Sequence, residues 1–188
     1  MVSDEKIEGL GFSNVITFSP RKYSVQEIKN DPLRALYNLD LLFLDFVLFD
    51  DQIKQCERNG ETWRIFGQDT EGVFGLSGQS GEVLYVARGF KDQIDIKFCA
   101  RGLDDFVSLM NMFVSYIFRV RASFKGGHDK IEDNVSDYFL DYARKFLNEE
   151  ELSNSYWAGI CELIETGEWL VTRGLREYLE TGRLQQAE

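Results

Sequence analysis

The sequence predicts an α+β fold: an antiparallel sheet of four or more strands packed against helices, with a helical C-terminal extension. Three observations carry this. Residues 63–86 hold three short runs rich in aromatic and β-branched residues, Trp63-Arg-Ile-Phe66, Val73-Phe-Gly-Leu76 and Val83-Leu-Tyr-Val86. They are set apart by clusters of Gly, Ser, Asp and Gln, which is the pattern of a meander. Residues 94–98 alternate strictly, with Ile94, Ile96 and Phe98 on one face and Asp95 and Lys97 on the other, as a half-buried strand requires. From Leu103, apolar residues Phe106, Val107, Met110, Val114 and Ile117 recur at helical spacing to about Arg119.

The elements follow in order. Val15-Ile-Thr-Phe18 reads as a short edge strand closed by Pro20. Ser24 with Glu27 has the form of a capping box. Asp31-Pro32 is a second helix start, Asp as N-cap and Pro at the first helical position. It gives a helix over 32–39 with Leu33, Leu36 and Tyr37 on one side. Residues 39–49 are apolar on every face, and periodicity does not decide between helix and strand; the reading continues the helix to about Leu44, with irregular chain after it. Residues 50–59 are polar and read as a helical turn ending in the turn signal Asn59-Gly60. In the meander, glycines supply positive φ, and Asp69 and Ser77 bond to nearby backbone. Four strands in series leave one face free to take helices.

In the helix from Leu103, residues Leu109, Met112, Phe113 and Tyr116 widen the apolar face, predicting burial on two sides. Asp104 and Asp105 in its first turn, and Arg119 and Arg121 near its end, suit the helix dipole. Lys125-Gly-Gly-His128 is a breaker that divides an α+β unit over 1–125 from a helical extension over 126–188 packed on the same domain. There, Val135, Tyr138, Phe139, Tyr142 and Phe146 predict a helix over about 134–149. Tyr156, Ile160, Leu163 and Ile164 predict a second; Trp169, Leu170, Leu175, Tyr178 and Leu179 a third, loosened by Gly174. Gly167 and Gly182 have the places of matched C-caps. Trp63, Trp157 and Trp169 read as core residues.

With 188 residues, 44% hydrophobic and 14% aromatic, the chain is long and apolar enough for one domain with a proper core. The longest apolar stretch, 39–49, carries Asp40 and Asp45 and falls short of a membrane span. The N-terminus starts acidic, without the apolar segment of a secretory signal. Cys56, Cys99 and Cys161 are odd in number and widely spaced, fitting neither a disulfide framework nor a zinc pattern. These features predict a cytoplasmic protein with reduced thiols. A net charge of −11 predicts repulsion from nucleic acid and anionic membranes and attraction for a basic protein partner. Residues 129–168 carry 11 acidic and 3 basic residues, net −8, whereas 88–125 carry 7 basic and 4 acidic, net +3.

No catalytic, metal or cofactor site is predicted. Gly72, Gly75, Gly78 and Gly81 lie between strands with no Gly-Lys-Ser/Thr after them, so they read as turn glycines rather than a phosphate loop. Ser77 and Ser80 lack the register of a nucleophile elbow. His128, the one histidine, sits in a glycine-rich loop and reads as solvated. Acidic residues are abundant enough that no carboxylate pair stands out as an acid/base couple. Asp129, Asp133, Asp137 and Asp141 recur every four residues, and Glu149, Glu150 and Glu151 extend them. On a helix such like charges cost about 0.2–0.5 kcal/mol per pair. Two readings stay open. One is a solvated helix, with Asp129 preceding it, Asp133 capping it and Lys145 paired with Asp141. The other is an acidic docking face for a basic partner, with these seven residues as the candidate set.

Four segments, Ile65-Phe-Gly-Gln-Asp-Thr-Glu-Gly72, Val73-Phe-Gly-Leu76, Gly81-Glu-Val-Leu-Tyr-Val86 and Ala100-Arg-Gly-Leu-Asp-Asp-Phe-Val-Ser-Leu109, form a recognisable set. Together they resemble the SUKH superfamily, named for yeast cell-wall-synthesis regulators and their bacterial relatives. The match covers residues 60–118, about a third of the chain, while the C-terminal helical third departs from the minimal family domain. The resemblance implies a twisted antiparallel sheet against helices and no enzymatic activity. It implies an immunity protein that binds and neutralises a bacterial toxin, commonly a nuclease. A scaffold or regulatory module with a cellular partner is the alternative, and a carboxylate-dependent enzyme the third.

Overall fold

The structure, a computed structural model, describes residues 2–18, 26, 47–48, 53–69, 71–123 and 135–166. The expected helix over 32–39, the start signals at Ser24 and Asp31, the breaker at 125–128 and the helix from Trp169 lie outside them, as do Gly167 and Gly182. The chain begins with helix α1 (Asp4–Gly9), capped by the Ser3 hydroxyl, which accepts from the Lys6 amide. Seven strands follow: β1 (Ser13–Phe18), β2 (Val47–Leu48), β3 (Ile53–Arg58), β4 (Glu61–Gln68), β5 (Gly72–Ser77), β6 (Val83–Arg88) and β7 (Ile94–Ala100). They form one antiparallel sheet in the order β1-β3-β4-β5-β6-β7, with β2 on Gly67 and Gln68 of β4. Helices α2 (Leu103–Ser123), α3 (Asp137–Ala143), α4 (Glu149–Ser153) and α5 (Tyr156–Glu165) complete the described chain. The predicted α+β class, with a helical C-terminal region, is what the chain adopts.

Two expectations near the start are corrected. Residues 53–58 are a strand, not a helical turn, and Asn59-Gly60 is a two-residue hairpin loop with φ of 53° and 80°. The alternation was hidden because Lys54 points inward beside Cys56; it is 4% exposed and ion-paired with Asp4 of α1. Val47–Leu48, read as irregular chain, pairs with β4.

The meander forms as predicted, and Asp69 accepts from the amides of Glu71 and Gly72 while Ser77 accepts from that of Ser80. One of its glycines does what was expected: Gly81 has a positive φ, 75°. Gly72 and Gly75 lie where strands and rings approach: a Cβ would sit 2.5 Å from the Val86 carbonyl oxygen at Gly72, and 2.9 Å from Ile65 and Trp63 at Gly75.

Both faces of the sheet carry apolar clusters, where the sequence promised one. On the helix face, Phe66, Phe74, Tyr85 and Ala100 pack with Phe106, Leu109, Met110, Phe113, Tyr116 and Ile117 of α2. On the other face, Trp63, Ile65, Val73 and Val86 are covered by Val2, Ile7, Leu10 and Phe12. Phe66 is the extra residue of a bulge in β4, between the pairs Ile65–Gly75 and Gly67–Phe74. Strand β7 therefore differs from its predicted burial. Ile94 and Ile96 stand opposite Arg88 and Val86 on the face that carries α1, not on that of α2, and Ile96 is 43% exposed.

The helix expected over 134–149 is two. Lys145 and Phe146 donate back three residues, to Tyr142 and Ala143, which tightens and ends α3. Asn148 then starts α4 through a reciprocal capping box with Glu151. Trp157 of α5 is fully buried among Phe106, Phe113 and Phe139, at ring distances of 5.8, 5.7 and 5.5 Å, and its indole donates to the Cys99 carbonyl at 2.7 Å. The helices after residue 135 thus share the core of the sheet.

Candidate functional site

Asp69, in the turn between β4 and β5, is a densely connected polar group. The aromatic-Gly-x-Asp sequence Phe66-Gly-Gln-Asp69 places it: Phe66 anchors the strand end in the core, and the carboxylate then closes the turn. Its Oδ1 accepts from the Glu71 amide at 3.0 Å, the Gly72 amide at 2.8 Å and the Tyr85 hydroxyl at 2.6 Å. Its Oδ2 accepts from the Tyr156 hydroxyl of α5 at 3.4 Å. On the other face, the Lys6 ammonium of α1 donates to the Asp69 carbonyl at 2.6 Å. One residue thus joins α1, the meander and α5 across both faces of the sheet. Burial, and then the Asp69 charge, push the Tyr85 and Tyr156 hydroxyls well above their ordinary value, so both remain donors at neutral pH. Burial lowers Lys6, and the charges of Asp69 and Glu71 oppose that shift. Sequence reasoning found Asp69 as a turn residue and missed Lys6, Tyr85 and Tyr156. Only the fold brings these three to it, from 63, 16 and 87 residues away.

Of the seven acidic candidates, Asp129 and Asp133 lie outside the described residues. Asp137 and Asp141 lie one turn apart on α3 and are exposed. Arg144 bridges Asp141 and Glu149, at 2.6 and 2.9 Å, and so ties the end of α3 to the start of α4. Lys145, expected to pair with Asp141, lies instead over the Tyr142 ring at 4.9 Å. Glu151 takes both nitrogens of the Arg101 fork at 3.0 and 2.7 Å, and its Oε2 also accepts from the Asn148 amide. Those bonds, Arg101 first, hold its carboxyl below the usual range. Asp137 and Glu150 carry no ion pair among the described residues. The structure therefore gathers Asp141 and Glu149 around one guanidinium and turns Glu151 towards the chain just beyond β7.

No family model, no curated protein and no solved structure matches the chain. The four motif segments fall on β4, β5, β6 and the start of α2, with the motif aspartate at the junction just described. Among the described residues, no group of three or more His, Cys, Asp or Glu side chains is placed to hold a metal ion, and no helix is long and apolar enough to cross a membrane. The three cysteines are buried and free of disulfides, and burial pushes the thiols of Cys56 and Cys161 up to about 12.

Proposed function

We propose that the chain is a non-enzymatic, cytoplasmic protein-binding domain of the SUKH type that binds and neutralises a bacterial toxin. A basic nuclease domain is the partner class its charge favours. The observation that supports this best is the Asp69 junction. The residue that the family resemblance singles out is committed to holding α1, the meander and α5 in one rigid platform, with Oδ1 filled by three donors. A rigid scaffold with exposed carboxylates suits recognition of a preformed basic surface, such as the substrate cleft of a nuclease. The acidic residues of 129–151 form part of the contact, and complementary charge raises the association rate.

Affinity capture with the full chain from its own organism, read by mass spectrometry, tests this reading. A toxin whose activity falls on addition of the chain supports it. A cellular protein without toxic activity replaces it with the scaffold reading.

A further inference from the structure

We propose that the outer edge of β7 pairs with β7 of a second copy of this chain, antiparallel and centred on Ile96, so that one sheet continues across a two-fold axis. Among the described residues β7 is the last strand of the sheet. Its outer side meets the chain near one end, where Phe98 forms a single parallel bridge to Ser155 and the Cys99 carbonyl accepts from Trp157. Among the described residues, no strand pairs with the outer side of 94–97, and an open edge is a template for strand addition. Ile96, 43% exposed, is one of three large apolar side chains standing out among the described residues. The opposite edge is less suited: β1 is interrupted by a register shift between Ser13 and Ile16, with Asn14 at φ 54°.

The charges choose both the partner and the register. Asp95 and Lys97 lie on the helix face, opposite Ala87 and Tyr85, and Ile96 on the other. Because side chains alternate, an antiparallel pair related by a two-fold axis through the sheet must be centred on a residue. Centred on Ile96, each Asp95 faces Lys97 of the other copy and the two Ile96 side chains meet. Centred one residue either way, Asp95 faces Asp95 or Lys97 faces Lys97, and like charges directly opposite are unfavourable. Within one copy the two charges already lean together, 4.0 Å apart, so pairing closes a ring of four alternating charges. The Phe98–Ser155 bridge bounds the ladder to 95–97, which makes the assembly concentration-dependent.

Analytical ultracentrifugation of the full chain over a wide concentration range tests this, with Asp95→Lys, Lys97→Asp and the double variant. Both side chains are about half exposed, 52% and 40%, so the swaps leave the core intact. The wild type is expected to shift towards dimer as concentration rises. Each single swap sets like charges opposite one another twice per dimer and weakens association about tenfold. The double swap restores the opposite pairs and the dimer. A wild type that stays monomeric throughout overturns the proposal, and that is also the result if this edge takes a strand of a different protein. Single swaps that associate like the wild type, or a double swap that fails to recover, overturn it equally.

Discussion

Replacing Asp69 by alanine removes the acceptor for four donors, and the structure says which losses matter. The Glu71 amide is in an exposed turn residue and regains water. The Tyr156 bond, at 3.4 Å, is long and contributes little. The Tyr85 hydroxyl and the Gly72 amide belong to buried residues and are left with nothing to donate to. A buried donor stranded in this way costs about 1–3 kcal/mol, so Asp69→Ala should lose roughly 3 kcal/mol. For a chain of this length that is a fall of roughly 10 °C in Tm. Tyr85→Phe deletes the donor rather than stranding it and should cost about 1 kcal/mol. The two changes touch one bond, so the double variant should be less destabilised than the sum by about 1–2 kcal/mol. Urea unfolding followed by tryptophan fluorescence measures all three. An Asp69→Ala protein within 0.5 kcal/mol of wild type, or strict additivity in the cycle, would refute the junction.

Three further outcomes follow from the core. Folding favours the neutral thiols of Cys56 and Cys161, raised from 9.0 to about 12. That contribution is complete below pH 9 and is lost as pH rises towards 12; thermal midpoints should be level from pH 7 to 8.5 and decline above 9. Lys54→Met keeps the packing and lets exposed Asp4 return to water, so it should change stability by no more than about 1 kcal/mol. Asp4→Ala leaves Lys54 buried without that carboxylate and should cost more, about 2 kcal/mol, with faster amide exchange over 2–12. Gly75→Ala forces Ile65 and Trp63 side chains apart for about 1–3 kcal/mol, whereas Gly72→Ala meets backbone and should cost more still; denaturation midpoints rank the two.

What could be read in advance was whatever depends on near neighbours. The three meander strands, the turn bonds of Asp69 and Ser77, and α2 were legible because each carries its own period or turn residues. Strand β3 was not. Its inward position is filled by Lys54, whose partner Asp4 lies 50 residues away, so the alternation looked polar throughout. The helix over 134–149 failed at its end, because the Asn148–Glu151 capping box that begins inside it is a start signal that the apolar spacing overran. The Asp69 junction was half legible: its turn is local, but its tyrosines and lysine converge only once the sheet has two covered faces.

The acidic excess also changes meaning once folded. Read along the chain, 129–168 is strongly negative and 88–125 positive. In space Arg101 reaches from the second segment to Glu151 of the first, and Arg144 bridges Asp141 and Glu149 from within, offsetting one of their two charges. A paired carboxylate contributes little field beyond a Debye length of about 8 Å. Two sources of steering then remain: the net −11 of the whole molecule, and a local patch reduced to the carboxylates left unneutralised. Association kinetics with the captured partner separate them. Neutralising Asp133, Asp137 and Asp141 to asparagine removes three charges at the proposed face; neutralising exposed Glu5, Glu8 and Glu57 to glutamine removes three elsewhere. If the face makes contact, the first set should slow association several-fold more than the second and flatten its salt dependence. Equal slowing by both sets would mean that only the net charge steers the encounter, and would remove 129–151 from the interface.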